Sequence, residues 1–516
     1  MQTEKEYITE RSVLGLHSES VGEYPLPDYN GDVKRVLMIS PRVVPNGQYM
    51  NESNLEFSGN VFYDVIYLDS ENNIARAEFS TDYELALKQD GECYRDADIR
   101  TSIASYNVRL VGPRKFSAKA ALSSDVRISE SRVLEIQGDA MDDESVETLS
   151  GDAHIITSFF FCGESVELKE DVVFIDGAIE DEVQVLSCDV CAGKVITLCD
   201  DGVGEVKCDL VAKIVYRNAY EPICTKTVNF PYSAQLESSD LDNCTSLFGT
   251  VNVSEIKVEL VPGEDGVGVL VCLNVTPSLR GVKNDSIEVV RDVYLKDRGT
   301  SCEYRDFTYT EHICSASAEG AFSTKIPLSD LTDARVCEII SSDCVVSREG
   351  CEITQNGALV KGEIRFNAFA RAEDDENAVE YMNLKFALPF EQNVNLDCQI
   401  HDNMHAEAYV EAYGEKAEVS DNYILASSNL YSQICVNAQR KMRCLGASYL
   451  TDEEFSSEES VVTVYYPDAN ESVFDIAKRF HTSVRKISED NSLSESVFNA
   501  KDAPVSSMGY KKLLIK

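Results

Sequence analysis

Three hydrophobic signatures recur in one order along the 516-residue chain, and this regularity constrains the fold more than any other feature. The first comprises "VLMISPRV" (36–43), "VQVLSCDV" (183–190) and "CEIISSDC" (337–344), each after a lead-in containing Pro or Asp. The second comprises the alternating stretches "SGNVFYDVIYLD" (58–69), "KCDLVAKIVYRN" (207–218) and "KGEIRFNAFARA" (361–372). The third comprises "FSTDYELAL" (79–87), "VNFPYSAQL" (228–236) and "LKFALPFEQNV" (384–394). Spacing is kept as well as order. Ile39, Leu186 and Ile340 are separated by 147 and 154 residues, and Gly59, Cys208 and Gly362 by 149 and 154. Landmarks in register read as three diverged copies of one unit, near 20–140, 168–298 and 322–450.

The period inside each copy is two. Val61, Tyr63, Val65 and Tyr67 share one face of a strand, while Asn60, Phe62, Asp64, Ile66 and Leu68 share the other. β-branched and aromatic residues suit a pleated surface, and apolar groups on both faces predict strands lying between layers. Turn-rich segments such as "VPNGQ" and "VPGEDGVG" separate the strands, which predicts sandwiches or partly closed barrels. The expected architecture is mainly β, with domains at 1–150, 151–320 and 321–450. An acidic linker at 451–460 then leads to a small βααβ module at 461–516. A second acidic stretch, 139–152, lies in the join between copies one and two.

Charge divides the chain in the same place. The whole carries −42, yet Val464 to Lys516 holds eight Lys and Arg against seven Asp and Glu, leaving the remainder at −43. Such a body repels phosphate, so neither nucleic acid nor an anionic membrane is an expected partner. The start, "MQTEKEYITERSVLGL", lacks the apolar core of a signal peptide, and no run is long enough to span a membrane. Seventeen Cys without an export signal point to free thiols in a reducing, cytoplasmic setting.

In the terminal module, Val473, Ile476, Ala477 and Phe480 fall on one helical face, behind Ser472 as a cap with Asp475 three residues on. Thr482 or Ser483 caps a second helix with Val484 and Ile487 inside. The strands "VVTVYYP" (461–467) and "YKKLLIK" (510–516) flank the pair. With "VYYPDANESVFDIAKRF" followed by "SVRKISEDNSL", the module resembles the LysM domain. It departs from that family's Gly-Asp-Thr turn, having Asn470-Glu471-Ser472 there. The resemblance implies a glycan groove between Asn470–Ser472 and Asn491–Leu493.

Three β-rich copies, an acidic linker and a LysM-like end together resemble the SPOCS-domain proteins of endospore-forming clostridia. That resemblance implies a mother-cell protein at the forespore surface. Its implied partner is a spore-coat morphogenetic protein, the ATPase of the coat basement layer, bound through the LysM-like end. Peptidoglycan is the alternative partner. The candidate contact residues are Asn470, Glu471, Ser472, Phe474, Lys478, Arg479, Arg485, Lys486, Asn491, Ser492 and Leu493, with the four basic ones expected on the outer helix faces.

Catalytic chemistry is not expected. Cys188 and Cys191 form a C-x-x-C with Cys199 and Cys208 downstream, but a second such pair is missing and residues i and i+3 of a strand point apart. His401 and His405 lack the Glu of H-E-x-x-H, and "GEDGVGVL" (263–270) lacks the Lys and following helix of a phosphate loop. No cofactor or metal is expected, and the reading is a scaffold.

Overall fold

The computed structural model describes residues 2–50, 54–88, 93–137, 145–176, 183–218, 223–262, 266–373, 378–455, 462–493 and 501–515. The first strands are β1 (Gln2–Pro25), β2 (Val33–Met50), β3 (Asn54–Asp69), β4 (Ile74–Lys88), β5 (Cys93–Gly112) and β6 (Lys115–Gln137). They form two antiparallel sheets, β1–β6–β5 and β2–β3–β4. Next come β7 (Val146–Cys162), β8 (Val166–Asp176), β9 (Gln184–Ala192), β10 (Ile196–Asp200), β11 (Val203–Arg217), β12 (Cys224–Glu237), β13 (Ser246–Pro262) and β14 (Gly266–Leu295). Their sheets are β7–β14–β13, with β8 also on β14, and β10–β11–β12, with β9 also on β11. A third set comprises β15 (Arg298–Pro327), β16 (Arg335–Thr354), β17 (Gly357–Glu373), β18 (Val379–Val394), β19 (Met404–Ser420) and β20 (Tyr423–Glu454), as sheets β15–β20–β19 and β16–β17–β18. The protein is thus mainly β, built from several sheets, with no closed barrel among the described residues.

Each set buries its core between its two sheets. Val61, Tyr63, Val65 and Tyr67 of β3 are fully buried against Phe116, Ala118, Ala120 and Leu122 of β6. Leu210, Ala212 and Ile214 of β11 meet Val269, Val271 and Leu273 of β14; Ile364, Phe366 and Ala368 of β17 meet Ile424, Leu430 and Ile434 of β20. A fully buried Val, Leu or Phe contributes about 1.5–3 kcal/mol, so these stripes drive the closure of each sheet pair. Toward one end of the central strands the opposite face is covered as well. Ile66, Val215 and Phe369 come together in one cluster with Leu37, Leu186 and Tyr381, and their spacing along the chain is again 149 and 154.

Charged residues weld the sets elsewhere. Arg280 of β14 is clasped by Glu10 of β1 through two bonds, Nε to Oε2 being 3.0 Å, and both side chains are 2% exposed. Arg127 of β6 reaches Glu407 of β19 at 3.2 Å, with the Tyr409 ring held between the guanidinium groups of Arg127 and Arg100. Apolar contact continues this seam: Ala153, Ile155 and Val289 of the second set meet Phe307 and Cys444 of the third, with Tyr7 and Leu134 of the first alongside.

Local differences from the sequence reading have physical reasons. "VPNGQ" is no turn. It runs inside β2, where a bulge between Pro45 and Gly47 absorbs it, and β2 is an edge strand, the place in a sheet where proline is tolerated. Pro277 survives in the middle of β14 because β8 stops pairing at Val275 and β7 starts at Ser278; its carbonyl instead accepts the Gly163 amide at 2.9 Å. In the expected acidic joins, β7 occupies 146–152 and β20 extends to Glu454, while 138–144 and 456–460 lie outside the described residues. The tip of "VPGEDGVG", 263–265, also lies outside them. β15 runs through residue 320 to pair with β20.

Candidate functional site

The module after β20 consists of β21 (Thr463–Tyr465), α1 (Val473–Arg479), α2 (Val484–Asp490) and β22 (Leu513–Ile515), with β21 and β22 antiparallel. Both strands are shorter than expected, three residues each. Ser472 caps α1: its Oγ accepts the Asp475 amide at 3.1 Å, and the Asp475 carboxylate accepts the Ser472 amide at 3.1 Å. Ser483 caps α2 through the Lys486 amide at 3.0 Å. Val473, Ile476, Ala477, Val484 and Ile487 form the core of the module with Leu513 and Ile515.

Asn491 explains how so small a unit closes. Its side-chain amide donates to the carbonyls of Ile487 (2.8 Å) and Leu514 (2.7 Å), and its Oδ1 accepts the Leu514 amide at 2.6 Å. One side chain therefore finishes α2 and holds β22. Ser492 follows with φ of 51°, and Leu493 is half-buried on the module core.

The module is seated on the second set. Phe474 is fully buried and meets the Tyr294 ring edge-on at 5.2 Å, and the Tyr294 hydroxyl donates to the Thr482 carbonyl at 2.7 Å. Burial pushes the Tyr294 phenol far above its usual range, so it stays a donor. Lys478 grips both carboxylate oxygens of Asp292 at 2.7 and 2.8 Å, and Arg291 pairs with Asp502 at 2.5 Å. His481 stacks on Phe455 at 3.5 Å.

These contacts redistribute the expected site residues. Phe474 and Lys478 face the body, so Lys478 is not on an outer face. Glu471 is buried, accepting the Tyr465 hydroxyl at 2.7 Å and pairing with Arg479 at 2.7 Å. Ser472 is engaged as the cap. Arg485 pairs with Glu489 at 2.8 Å along exposed α2, and Asn470, Lys486 and Ser492 are not buried. Glu471 and Ser472 are therefore engaged within the module, and Asn470 is the exposed residue of this turn.

A different surface was missed. Val462, Val464 and Tyr466 stand on one phase of the β21 segment, 55%, 51% and 68% exposed, and Leu514, paired with Val464, is 40% exposed. Lys511 and Lys512 are exposed beside it. The alternation of "VVTVYYP" held the signal, since a two-stranded sheet with helices on one face leaves the other face open.

Other clusters are structural in character. Cys435, His312 and Asn437 lie together, but the thiol and the amide oxygen contact the same imidazole nitrogen, at 3.5 and 3.2 Å. Burial pushes Cys435 up to about 11 and His312 down, so neither charges readily. Cys188 and Cys208 are buried in strands, with thiols pushed up to about 12 by burial. Among the described residues, no three His, Cys, Asp or Glu are grouped to hold a metal. A cavity of about 480 Å³ opens where the three sets meet, lined by Asp64, Arg76, Asp343 and Lys385 among others. Within the described residues no helix is long and apolar enough to cross a membrane. No protein-family model matches the chain, and no curated protein matches it.

Proposed function

We propose that the chain is a non-catalytic scaffold of spore-coat assembly, made of three SPOCS-like β units and a LysM-like end that contacts a coat morphogenetic protein. What carries this reading is the apolar strip of Val462, Val464, Tyr466 and Leu514 with Lys511 and Lys512 beside it. Such a strip, rimmed by polar groups, suits a protein surface with an apolar ridge and acidic flanks. The body supports it as a mount. Its sets are joined by buried ion pairs, and the module is fastened to one of them by Phe474 and Lys478, so the strip is presented at a defined orientation.

The test uses purified full-length protein and the purified coat-basement ATPase. Val464→Glu together with Tyr466→Ser leaves the module core and its seat untouched. Capture of the ATPase is expected to fall at least about tenfold, the effect of losing about 1.4 kcal/mol. Undiminished capture removes the strip from the mechanism. Titration of the same protein with muropeptide or chitin oligomers is expected to show no saturable binding.

A further inference from the structure

The connection between β18 and β19, residues 395–403, lies against β15 in the third set. Cys314 sits on β15 just past the bulge that follows His312, and its thiol donates to the Cys398 sulfur at 3.0 Å. Both thiols are free and half-buried. Leu396, two residues before Cys398, packs on the same core as Cys314, so the contact is held by apolar burial on both sides. We propose that Cys314 and Cys398 are a modification site that closes to a disulfide when the protein meets a peroxide, stapling this connection to β15.

The electrons balance in two steps. Cys398, on the loop, is oxidised first: its S–H and hydrogen peroxide give a sulfenic acid, S–OH, and water. The Cys314 sulfur then attacks the Cys398 sulfur, the S–O bond breaks, and the departing hydroxide takes the Cys314 proton as a second water. Two electrons pass from the thiols to one peroxide. Burial, reinforced by the neighbouring Cys398, pushes the Cys314 thiol up to about 12, which disfavours it as the first sulfur oxidised, while its 3.0 Å contact with the Cys398 sulfur places it to resolve the sulfenic acid. Closure joins positions far apart in the chain, so it restricts the unfolded ensemble as well as the loop.

Full-length protein is treated with hydrogen peroxide, alkylated under denaturing conditions, digested without reductant and analysed by mass spectrometry. The expected result is a linked pair of peptides holding Cys314 and Cys398, about 2 Da lighter than their reduced sum. Both residues lose the alkyl label, and dithiothreitol restores it. In Cys314→Ser, Cys398 is expected to retain a dimedone-reactive sulfenic acid. Persistence of both labels after peroxide has oxidised other half-buried thiols overturns the proposal, and so does linkage of Cys398 to a different cysteine. The linked peptide comes from the native chain, so a folding defect in the variant can neither create nor remove it.

Discussion

Two of the seams in this molecule are made of similar parts with different exposure. Between the strand sets, Arg280–Glu10 and Arg127–Glu407 are almost sealed from water. Beneath the terminal module, Lys478–Asp292 and Arg291–Asp502 remain partly wet, with side chains 17–48% exposed. A buried pair is unforgiving, because losing one partner strands a charge that water cannot reach. A half-exposed pair is screened and replaceable. The inner seam therefore reads as permanent, and the outer seam takes its strength from Phe474 on Tyr294 rather than from its charges.

The sharpest way to break that contrast is at Glu10. Burial pushes its carboxyl up, but Arg280 outweighs that cost and holds it below the usual range, so it is charged at neutral pH. Glu10→Gln is expected to destabilise the body by about 3–5 kcal/mol in denaturant unfolding, since Arg280 stays buried and charged. Adding Arg280→Met is expected to recover much of the loss. A Glu10→Gln variant as stable as the native chain would mean that the seam is not sealed.

Tyr294→Ala tests the outer seam, at an expected cost of about 3 kcal/mol. Here the loss should be local: hydrogen exchange speeds up across 473–490 while β1 and β6 keep their protection. Equal acceleration in both regions would show that the module and the body unfold as one. Ser472→Ala is a milder probe of the same region, with an expected loss of about 1 kcal/mol confined to α1.

Legibility followed the range of each interaction. The buried face of β3 and the core face of α1 could be read because their periods are local, and Ser472 could be read as a cap because Asp475 lies three residues away. The role of Asn491 was half visible: its place at the end of α2 was clear, but its bond to Leu514 spans 23 residues. Lys478 and Phe474 were misplaced because their partners, Asp292 and Tyr294, lie about 180 residues upstream, where no periodicity points. A still longer separation hides Glu10 from Arg280. "VPNGQ" misled for the opposite reason, as its local turn chemistry was strong but a bulge on an edge strand accommodates the same residues.

A third junction, intermediate between the two seams, where Lys213 of β11 lies among several acids, is read through pH. It takes Glu415 at 2.5 Å and leaves Asp343 at 3.9 Å, with Ser40 donating to Asp343 at 2.8 Å and Asp189 nearby. Burial outweighs the distant lysine and pushes Asp343 from 3.8 up to about 6. The folded chain thus takes up this proton more readily than the unfolded one. The group contributes stability that is fully present below about pH 4 and is lost as pH rises through about 6. Asp343→Asn, neutral throughout, should melt above the native protein at pH 7, and the gap should narrow by pH 5 and close below about pH 4. Were the gap instead to widen on acidification, the ammonium of Lys213 would outweigh burial at Asp343, and this junction would belong with the sealed pairs of the inner seam.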